Sequence, residues 1–370
     1  MNKLSSIEKK VIIESLENHF YYDLYVSKSL GFKRPIFRPY QKVGMRGGAV
    51  VLDLLKAVIF ILISPFFCII NKKLIRLSCF PSDLESSLYF ITGSKAEAIF
   101  SVEKHDKSSI IKWGYKQRDG VVFGISDIFD FYGLLFMFFS KYWKFPWFYS
   151  AILWLPELNA FFKLVKSQRP KKIHMCNHYD RWAYILSFYS KYYGVDLELH
   201  QHGIVNKDYK PHKKLPIISK LYAYNTEQVN IFCENICKTV LTYECIKPKI
   251  NLSPISIDKK SSLLIVGHGD ANIMKSLCNM ANDLESLNLH IFIKPHPAFD
   301  FMKTNDVFIL DDIDMIDDKH FFPDVDYLCH CGSTLAVEYE SSSSKVKCFN
   351  LEDYKTIEEF KECLFQFMTI

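Results

Sequence analysis

The chain has 370 residues, 49% of them hydrophobic, which is enough for two domains that each bury a core. Its formal net charge of +5 is too small to indicate a nucleic-acid-binding protein, so no nucleic acid partner is expected. Its eleven cysteines are scattered and form no CxxC pairs, which favours reduced thiols in a cytosolic protein over a disulfide framework or a zinc site.

The N-terminal segment 1–87 is amphipathic, then basic, then apolar. The first thirty residues have the spacing of an amphipathic helix and no signal-peptide pattern. Basic and aromatic residues fill Phe32–Gly48, and Val50–Ile70 is the most apolar stretch of the chain. Its uninterrupted part, Ala57–Ile63, is far shorter than the ~20 residues of a membrane-spanning helix. The segment therefore fits either a helix lying in the cytoplasmic leaflet or a buried core helix.

From Ser87 onward, short predicted strands alternate with helices. Strands are predicted at Leu88–Gly93, Ile110–Tyr115, Val121–Ser126, Lys172–Asn177, Asp196–Gly203 and Leu221–Asn225. Helices are predicted at Lys95–Ser101, Arg181–Tyr193 and Thr226–Cys237. The aromatic run Phe129–Phe162 favours a pair of core helices, with a membrane-interface surface as the alternative, because Phe, Trp and Lys occur together in it.

A second series of strands and helices follows the polar, proline-broken run Lys247–Lys260, which we interpret as a linker. Leu263–Gly269 predicts a strand and a turn, and Asp270–Leu287 predicts the next helix. Alternation on both sides of the linker indicates an α/β protein with two doubly wound, Rossmann-like domains that face each other across a cleft. We place these domains at residues 1–250 and 251–370.

The segment His290–Pro297 ends an apolar strand with residues that favour anions. Pro295 and Pro297 stop the strand, which leaves Lys294 and His296 on a stiff turn at its carboxyl end. Open α/β sheets bind ligands at the carboxyl ends of their strands, so this lysine and histidine predict a phosphate contact. Taken alone, a K-P-H-P run is also compatible with a purely structural turn.

The segment Tyr327–Glu340 predicts a strand, a tight turn at Gly332 and a helix capped by Ser333 or Thr334. The backbone N–H groups and the macrodipole at such a helix N-terminus favour phosphate. Glu338 follows about a turn and a half later, where it could accept hydrogen bonds from ribose hydroxyls. An ordinary helix cap is the alternative, but the two motifs together predict a site for a nucleotide mono- or diphosphate.

Three further residues are candidates for a catalytic or binding role. Gly269, in the GHG turn, permits close approach of the backbone to a phosphate. In the first domain, Asp180 and His202 follow predicted strands and are candidates for a general base that takes the proton from an acceptor hydroxyl. Asp180 directly precedes a predicted helix, so a helix N-cap is the alternative for it. We interpret the neighbouring His200 as support for other polar groups.

The acidic run Asp311–Asp318 follows the apolar Val307–Leu310. It imitates the strand-end D-x-D by which some enzymes hold a divalent metal, because carboxylates at that spacing can chelate Mg²⁺ or Mn²⁺. Its position late in the chain favours an acidic loop instead, so no metal site is predicted.

These motifs together resemble the bacterial GT-B transferases that build surface polysaccharides. The KPHP run, Lys294–Pro297, is similar to the His-Pro motif of bacterial sialyltransferases and to the matching motif of teichoic-acid glycerophosphotransferases. The QHG run, Gln201–Gly203, resembles that of the glycerophosphotransferases and of capsule Kdo transferases. The run His330–Glu338 resembles a signature of the peptidoglycan lipid II glycosyltransferase. The resemblance covers residues 170–350.

The resemblance implies a GT-B fold and residue roles in nucleotide binding. His296, in its His-Pro pair with Pro297, and the hydroxyl residues Ser333 and Thr334 would contact the nucleotide phosphate. Glu338 would contact the ribose. Residues 1–250 would then form the acceptor domain, with segment 1–87 toward a membrane, and residues 251–370 would form the nucleotide-sugar-binding domain.

The expected function is that of an inverting, metal-independent glycosyltransferase without a cofactor, peripheral on the inner face of the cytoplasmic membrane. Its partners would be a nucleotide-activated sugar, favoured as Kdo or a related acid sugar from a CMP donor, and a lipid-linked, lipopolysaccharide or capsule acceptor. One alternative is a UDP-sugar transferase or a CDP-glycerol-type phosphotransferase. Another is a non-catalytic, membrane-bound polysaccharide assembly protein.

Overall fold

The computed structural model describes most of the chain. The described residues are 3–29, 47–69, 73–75, 77–79, 87–92, 94–100, 110–113, 121–122, 125–143, 151–248, 250–256, 261–268, 271–284, 287–296, 313–318 and 321–368. The chain divides into two compact units, Met1–Cys245 and Ile246–Ile370. The predicted basic segment Phe32–Gly48 lies, apart from its last two residues, outside the described residues.

The first unit contains seven α-helices and nine strands among the described residues. The helices are α1 (Ser6–Ser29), α2 (Gly47–Ile69), α3 (Ser94–Phe100), α4 (Ile125–Tyr142), α5 (Leu155–Gln168), α6 (Arg181–Tyr193) and α7 (Thr226–Ile231), with a π-helix at Phe232–Ile236. The strands are β1 (Lys73–Ile75), β2 (Leu77–Cys79), β3 (Ser87–Ile91), β4 (Ile110–Trp113), β5 (Val121–Val122), β6 (Lys172–Met175), β7 (Asp196–His200), β8 (Ile218–Ala223) and β9 (Val240–Cys245).

Seven of these strands form one sheet in the order β2-β4-β3-β6-β7-β8-β9. Every neighbouring pair is parallel except the edge pair of β2 and β4. The strand order changes direction between β3 and β6, so the switch point of the doubly wound sheet lies there. Side chains of α1, α4, α5 and α6 pack with the strands into one apolar core.

The second unit is a smaller parallel sheet covered by helices on both faces. Its strands are β10 (Ser261–Val266), β11 (Leu289–Lys294), β12 (Ile313–Met315), β13 (Tyr327–His330) and β14 (Lys347–Asn350), and its helices are α8 (Ala271–Leu284), α9 (Thr334–Ser342) and α10 (Ile357–Met368). The spatial order is β12-β11-β10-β13-β14, and all pairs are parallel. This is the Rossmann order, with its switch point between β10 and β13.

The alternation of side chains along β10 explains why both faces of this sheet are covered. Leu263 and Ile265 pack with α8 and α10 on one face, and Leu264 and Val266 pack with α9 on the other. A strand buried on both faces is apolar throughout, as its sequence is. The predicted fold class, an α/β protein with two Rossmann-like domains, is confirmed by the order and direction of the strands in the two sheets.

Several predicted elements differ from the structure. The strand predicted at Val121–Ser126 is only two residues long, because α4 begins at Ile125. The acidic run predicted as a loop contains the edge strand β12, and Asp314 within it pairs with His290 at 2.7 Å. The apolar run Val307–Leu310 and the first two residues of the acidic run, 311 and 312, lie outside the described residues.

The predicted linker is also not a free segment. Its residues 250–256 pack on the second unit, since Ile250, Leu252 and Ile255 contact the core around α9. The backbone of Ser253 pairs with the segment around Pro323. Burial of these three apolar side chains is the physical reason, because a linker in solvent would expose them.

The helix α2 is not a buried core helix. Ala57 and Ser64 are buried, and the hydroxyl of Tyr132 on α4 donates a hydrogen bond to the carbonyl of Ile61 at 2.9 Å. The other side of α2 exposes apolar side chains: Leu54, Leu55, Val58, Ile59, Leu62 and Ile63. α4 likewise buries one side in the core and exposes Ile125, Phe129, Tyr132, Phe136 and Phe139 on the other. We call these eleven exposed side chains the apolar α2–α4 surface.

Candidate active site

Asp180 lies at the N-terminus of α6, close to the switch point of the first sheet. Its carboxylate accepts a hydrogen bond from the backbone N–H of Ala183 at 2.9 Å and another from the side-chain amide of Asn177. The side chain of Thr92, after β3, donates in turn to Asn177 at 2.9 Å. Burial raises the pKa of Asp180. The structure therefore places Asp180 as the helix cap, and its role as a base remains a prediction.

His202 follows β7, the strand next to β6. Its Nδ1 lies 2.6 Å from the carbonyl oxygen of Cys176, which follows β6. A carbonyl oxygen can only accept, so Nδ1 carries the proton and donates it. In the neutral ring Nε2 is then the unprotonated nitrogen, which is the state that a general base requires. The two strands that precede Asp180 and His202 are neighbours and pair in parallel.

His178 is a second imidazole beside His202. It is buried, its Nδ1 lies 3.4 Å from the same carbonyl of Cys176, and its ring centre is 5.3 Å from that of His202. Burial, and then the repulsion that a protonated His202 would exert, lower the pKa of His178 well below its ordinary value. A neutral imidazole thus packs against His202, a contact that the sequence motif alone did not single out.

Gln201 fixes the loop that carries His202. Its side chain is 1% exposed, and its Nε2 donates to the carbonyl of Gly203 at 2.9 Å and to Oε1 of Gln228 at 2.6 Å. Its Oε1 accepts from the backbone N–H of Tyr224 at 2.9 Å. The QHG loop is therefore held on both sides by one buried amide.

Gln228 continues this network on α7. Its Oε1 accepts from the backbone N–H of Val205 at 2.8 Å, and its Nε2 donates to the carbonyl of the same residue at 3.2 Å. The cap of α7, Asn225, accepts from the backbone of Gln228 at 2.9 Å. Sequence reasoning missed this pair of glutamines. The available signal was the spacing of Asn225 and Gln228. An Asn that follows a strand, with a Gln three residues later, is typical of a helix N-terminus.

In the second unit, Lys294 ends β11 as predicted. Its ammonium donates to the carbonyls of Asp318 and Phe321, each at 2.8 Å, and lies 4.6 Å from the ring centre of Phe322. Burial lowers the pKa of Lys294. The structure therefore uses Lys294 to hold the segment that precedes β13, and the predicted phosphate contact remains a prediction. The half-buried His296 follows on the predicted turn, and Pro297 lies outside the described residues.

The glycine that approaches another backbone closely in this region is Gly267. Its N–H donates to the carbonyl of Lys294 at 2.8 Å. A Cβ at this position would lie 2.9 Å from the backbone N of His296 and from Cα of Pro295, which no side chain could accommodate without a shift. Gly267 therefore permits β10 and the KPHP turn to meet. Gly269, which the sequence predicted for a phosphate, lies outside the described residues.

The predicted turn between β13 and α9 is confirmed. Gly332 has a φ of 61°, a conformation that favours glycine, and Ser333 caps α9 by accepting from the backbone N–H of Leu335 at 3.2 Å. Thr334 is the first residue of α9, and Glu338 lies half-buried further along it. The contacts of these residues with phosphate and ribose remain predictions.

Each unit thus gathers its candidate residues at adjacent strand ends. In the first unit they follow β6 and β7, and in the second they follow β11, β10 and β13, which are neighbours in that order. Two Rossmann-like sheets with polar groups at the carboxyl ends of their strands define a class, the α/β proteins that bind ligands at switch points.

Comparisons with known proteins add a resemblance in fold alone. No protein-family model matches the chain, and no curated protein matches it. One solved structure, described as the glycotransferase of kitacinnamycin, superposes with a TM-score of 0.40 at 7% identity, over 78% of this chain and 92% of that one. Acinetobacter baumannii MurG gives a TM-score of 0.37 at 12% identity, over 76% and 90%. The GtfA/B complex gives 0.35 at 9%, over 60% and 54%. At such scores the superpositions carry no weight for function.

Within the described residues, no helix combines the length and the apolar character needed to cross a bilayer.

Proposed function

We propose that this chain is an inverting, metal-independent glycosyltransferase of the GT-B type, in which the first unit activates the acceptor and the second binds the nucleotide of the donor. The observation that carries the proposal is the geometry of His202. The Cys176 carbonyl oxygen lies 2.6 Å from Nδ1 and holds the proton on that nitrogen. Nε2 of the neutral ring is then the base atom, at the carboxyl ends of two parallel strands.

The donor nucleotide is assigned to the switch point of the second unit. The carboxyl ends of β10 and β13 flank this point, and α9 begins there with its cap Ser333. The positive end of the helix dipole favours a phosphate at this place. His296 lies one strand away, after β11, and Glu338 lies on α9, which supports their proposed contacts with phosphate and ribose.

In the proposed reaction, Nε2 of His202 accepts the proton of the acceptor hydroxyl as its oxygen attacks the anomeric carbon of the donor sugar. The bond between that carbon and the nucleotide phosphate breaks, and the phosphate leaves with the electron pair. Attack opposite the leaving group inverts the configuration. The helix N-terminus at Ser333, together with His296, would stabilise the negative charge that grows on the phosphate.

A cytidine-activated acid sugar, such as Kdo from its CMP donor, is the favoured donor because the KPHP motif resembles those of cytidine users. A UDP-sugar or a CDP-glycerol-type donor is the second candidate, since related motifs occur in those transferases. A lipid-linked or polysaccharide acceptor at the inner face of the cytoplasmic membrane is supported by the apolar α2–α4 surface. On it, Phe136 is 77% exposed and Leu62 is 66% exposed.

A thermal-shift panel of CMP, CDP, UMP and UDP tests the nucleotide assignment. A ligand that binds only the folded chain raises its apparent stability by mass action, by about 2.7 kcal/mol at a concentration 100 times its Kd. We expect the cytidine nucleotides to raise the melting temperature, and the His296→Ala variant to lose most of this shift. An absence of any shift at millimolar nucleotide would favour the non-catalytic assembly protein instead.

A further inference from the structure

Two histidines and a glutamate converge on the face of the first sheet opposite its main core. β6 and β7 are parallel, and their register places His174 beside Glu198. His200 lies two residues further along β7 and therefore points to the same face as Glu198. One donor atom from each of the three side chains lies within 4.8 Å of the other two, and His174 Nδ1 is 3.3 Å from a carboxylate oxygen of Glu198.

Aromatic neighbours pack against both imidazole rings. Tyr89 stacks on His174 with ring centres 4.4 Å apart, and Tyr222 stacks on His200 at 4.2 Å. Phe100 of α3 meets the ring of His200 edge-on at 5.0 Å. Side chains held in this way lose little further freedom when they bind a ligand, so the cluster is preorganised.

The carboxylate of Glu198 is buried and held by two other groups. Lys172 donates to one oxygen at 2.7 Å, and the hydroxyl of Tyr222 donates to the other at 3.3 Å. Such outer partners orient a metal-binding carboxylate and raise the selectivity of a site. Lys172 is the competing cation, but its side chain is 40% exposed and can turn toward solvent.

One atom of the cluster lacks a partner. Nε2 of His200 is buried, with no hydrogen-bond partner among the described residues. A buried polar nitrogen in this state is unfavourable, and it is satisfied either by a proton donor or by a metal ion. The nearness of His200 to the donor atoms of His174 and Glu198 distinguishes it from an isolated buried histidine.

We propose that His174, Glu198 and His200 bind one divalent transition-metal ion, with Zn²⁺ the best match. Two imidazole nitrogens and one carboxylate oxygen form a ligand set that Zn²⁺ accepts at about 2.0–2.2 Å, with water in the fourth position. Ligand atoms in that geometry are about 3.4 Å apart, so small rotations of the rings complete the site.

The metal would stabilise the sheet and take no part in the transfer reaction. It would tie β6 to β7, the two strands whose ends carry Asp180 and His202. The inference is therefore independent of the proposed function and survives if the chain transfers no sugar.

The test is Zn²⁺ titration of chelator-treated, full-length protein by calorimetry, with the single variants His174→Ala, His200→Ala and Glu198→Gln. We expect one ion per chain and a loss of affinity of more than about 100-fold in each variant. His212→Ala is the matched control, because His212 also pairs with a glutamate, Glu17 at 3.3 Å, but is not among the three converging side chains. Circular dichroism of each metal-free variant checks its fold.

Cobalt substitution identifies the ligands independently. Bound Co²⁺ should show the visible bands of a four- or five-coordinate ion without a thiolate charge-transfer band, because no cysteine belongs to the site. A thiolate band, a stoichiometric ion that survives all three substitutions, or no binding at all would overturn the proposal. EDTA should lower the melting temperature and leave turnover intact at temperatures below it. A loss of turnover without a change in melting temperature would contradict metal-independent transfer and would not bear out a structural metal.

Discussion

At the scale of single residues, the carbonyl of Cys176 decides which nitrogen of His202 can act as a base. Replacing His202 with alanine removes that nitrogen but touches none of the nucleotide residues proposed in the second unit. A general base contributes typically ~10²–10⁴-fold to a rate. We expect His202→Ala to lower kcat by that factor, with the nucleotide Kd unchanged. Turnover near that of the wild type would exclude His202 as the base.

Asp180→Asn is the matched control for this experiment. Asparagine caps helices about as well as aspartate, so the hydrogen bond to the N–H of Ala183 can persist. Its amide nitrogen would face the amide of Asn177, which costs some stability, but if Asp180 is only the cap the folded variant should keep its turnover. A fall in turnover as large as that of His202→Ala, in a folded protein, would instead make Asp180 the base.

His178 couples the same region to pH. Its pKa in the folded protein lies well below the ordinary value of 6.5, because it is buried and lies beside His202. Below pH 6.5 the unfolded chain binds a proton that folded His178 does not bind, so its contribution to the free energy of unfolding falls as the pH falls. The slope approaches about 1.4 kcal/mol per pH unit.

Urea unfolding of the wild type and of His178→Phe between about pH 7 and pH 5 measures this contribution. Phenylalanine keeps the aromatic contact with Phe232 but cannot be protonated. We expect the variant to lose stability less steeply in acid. Equal slopes for the two proteins would show that His178 is not responsible.

At the scale of helices and strands, α4 and α5 are joined by a buried ion cluster. The ammonium of Lys163 on α5 lies 2.7 Å from the carboxylates of both Asp127 and Asp130 on α4, and its side chain is 1% exposed. Removing Lys163 takes a cation from the buried carboxylates of Asp127 and Asp130, of which Asp130 keeps Lys9 on α1 at 3.3 Å. We expect Lys163→Met to lower the free energy of unfolding by about 3–5 kcal/mol.

Lys141→Met is the comparison, because Lys141 pairs with Glu17 at 3.4 Å but its side chain is 55% exposed. An exposed pair contributes only about 0–1 kcal/mol. Urea denaturation of both variants measures the difference. Similar losses in the two proteins would show that the buried cluster contributes no more than a surface pair.

The elements that the sequence predicted well are those with local signals. The start of α6 follows from Asp180 as its cap, and β10 follows from an apolar run that is buried on both faces. β9 was not predicted, because it is an edge strand whose side chains are mostly exposed and carry no burial pattern. Local spacing therefore predicts interior elements better than edges.

The candidate site was predictable only in part, because its contacts join distant positions. The strand ends at His202 and Ser333 follow from local pattern. By contrast, the pairing of Gln201 with Gln228 and the approach of Gly267 to the KPHP turn depend on which strands become neighbours. Pattern reasoning also could not foresee that Lys294 would bind backbone carbonyls of the segment before β13.

At the scale of the whole molecule, the apolar α2–α4 surface is unfavourable in water, because it exposes large apolar side chains. Exposed apolar side chains in such number are typical of an interaction site, and a lipid bilayer would accept them without specific partners. Lys56 on the same helix is exposed, and about 1 kcal/mol per basic residue near an anionic membrane would add to the apolar contacts.

Cosedimentation with vesicles of phosphatidylglycerol and phosphatidylethanolamine tests this attachment. Phe136→Ser and Leu62→Ser each remove an exposed apolar side chain without adding charge, so the fold should persist. Because burying such a side chain is worth about 1.5–3 kcal/mol, each change should weaken vesicle binding about tenfold or more. Leu241→Ser is the control, since Leu241 is 60% exposed but lies on β9. Binding that high salt weakens and that only the first two variants lose would support membrane attachment. A wild-type protein that ignores the vesicles, or equal losses in all three variants, would contradict it.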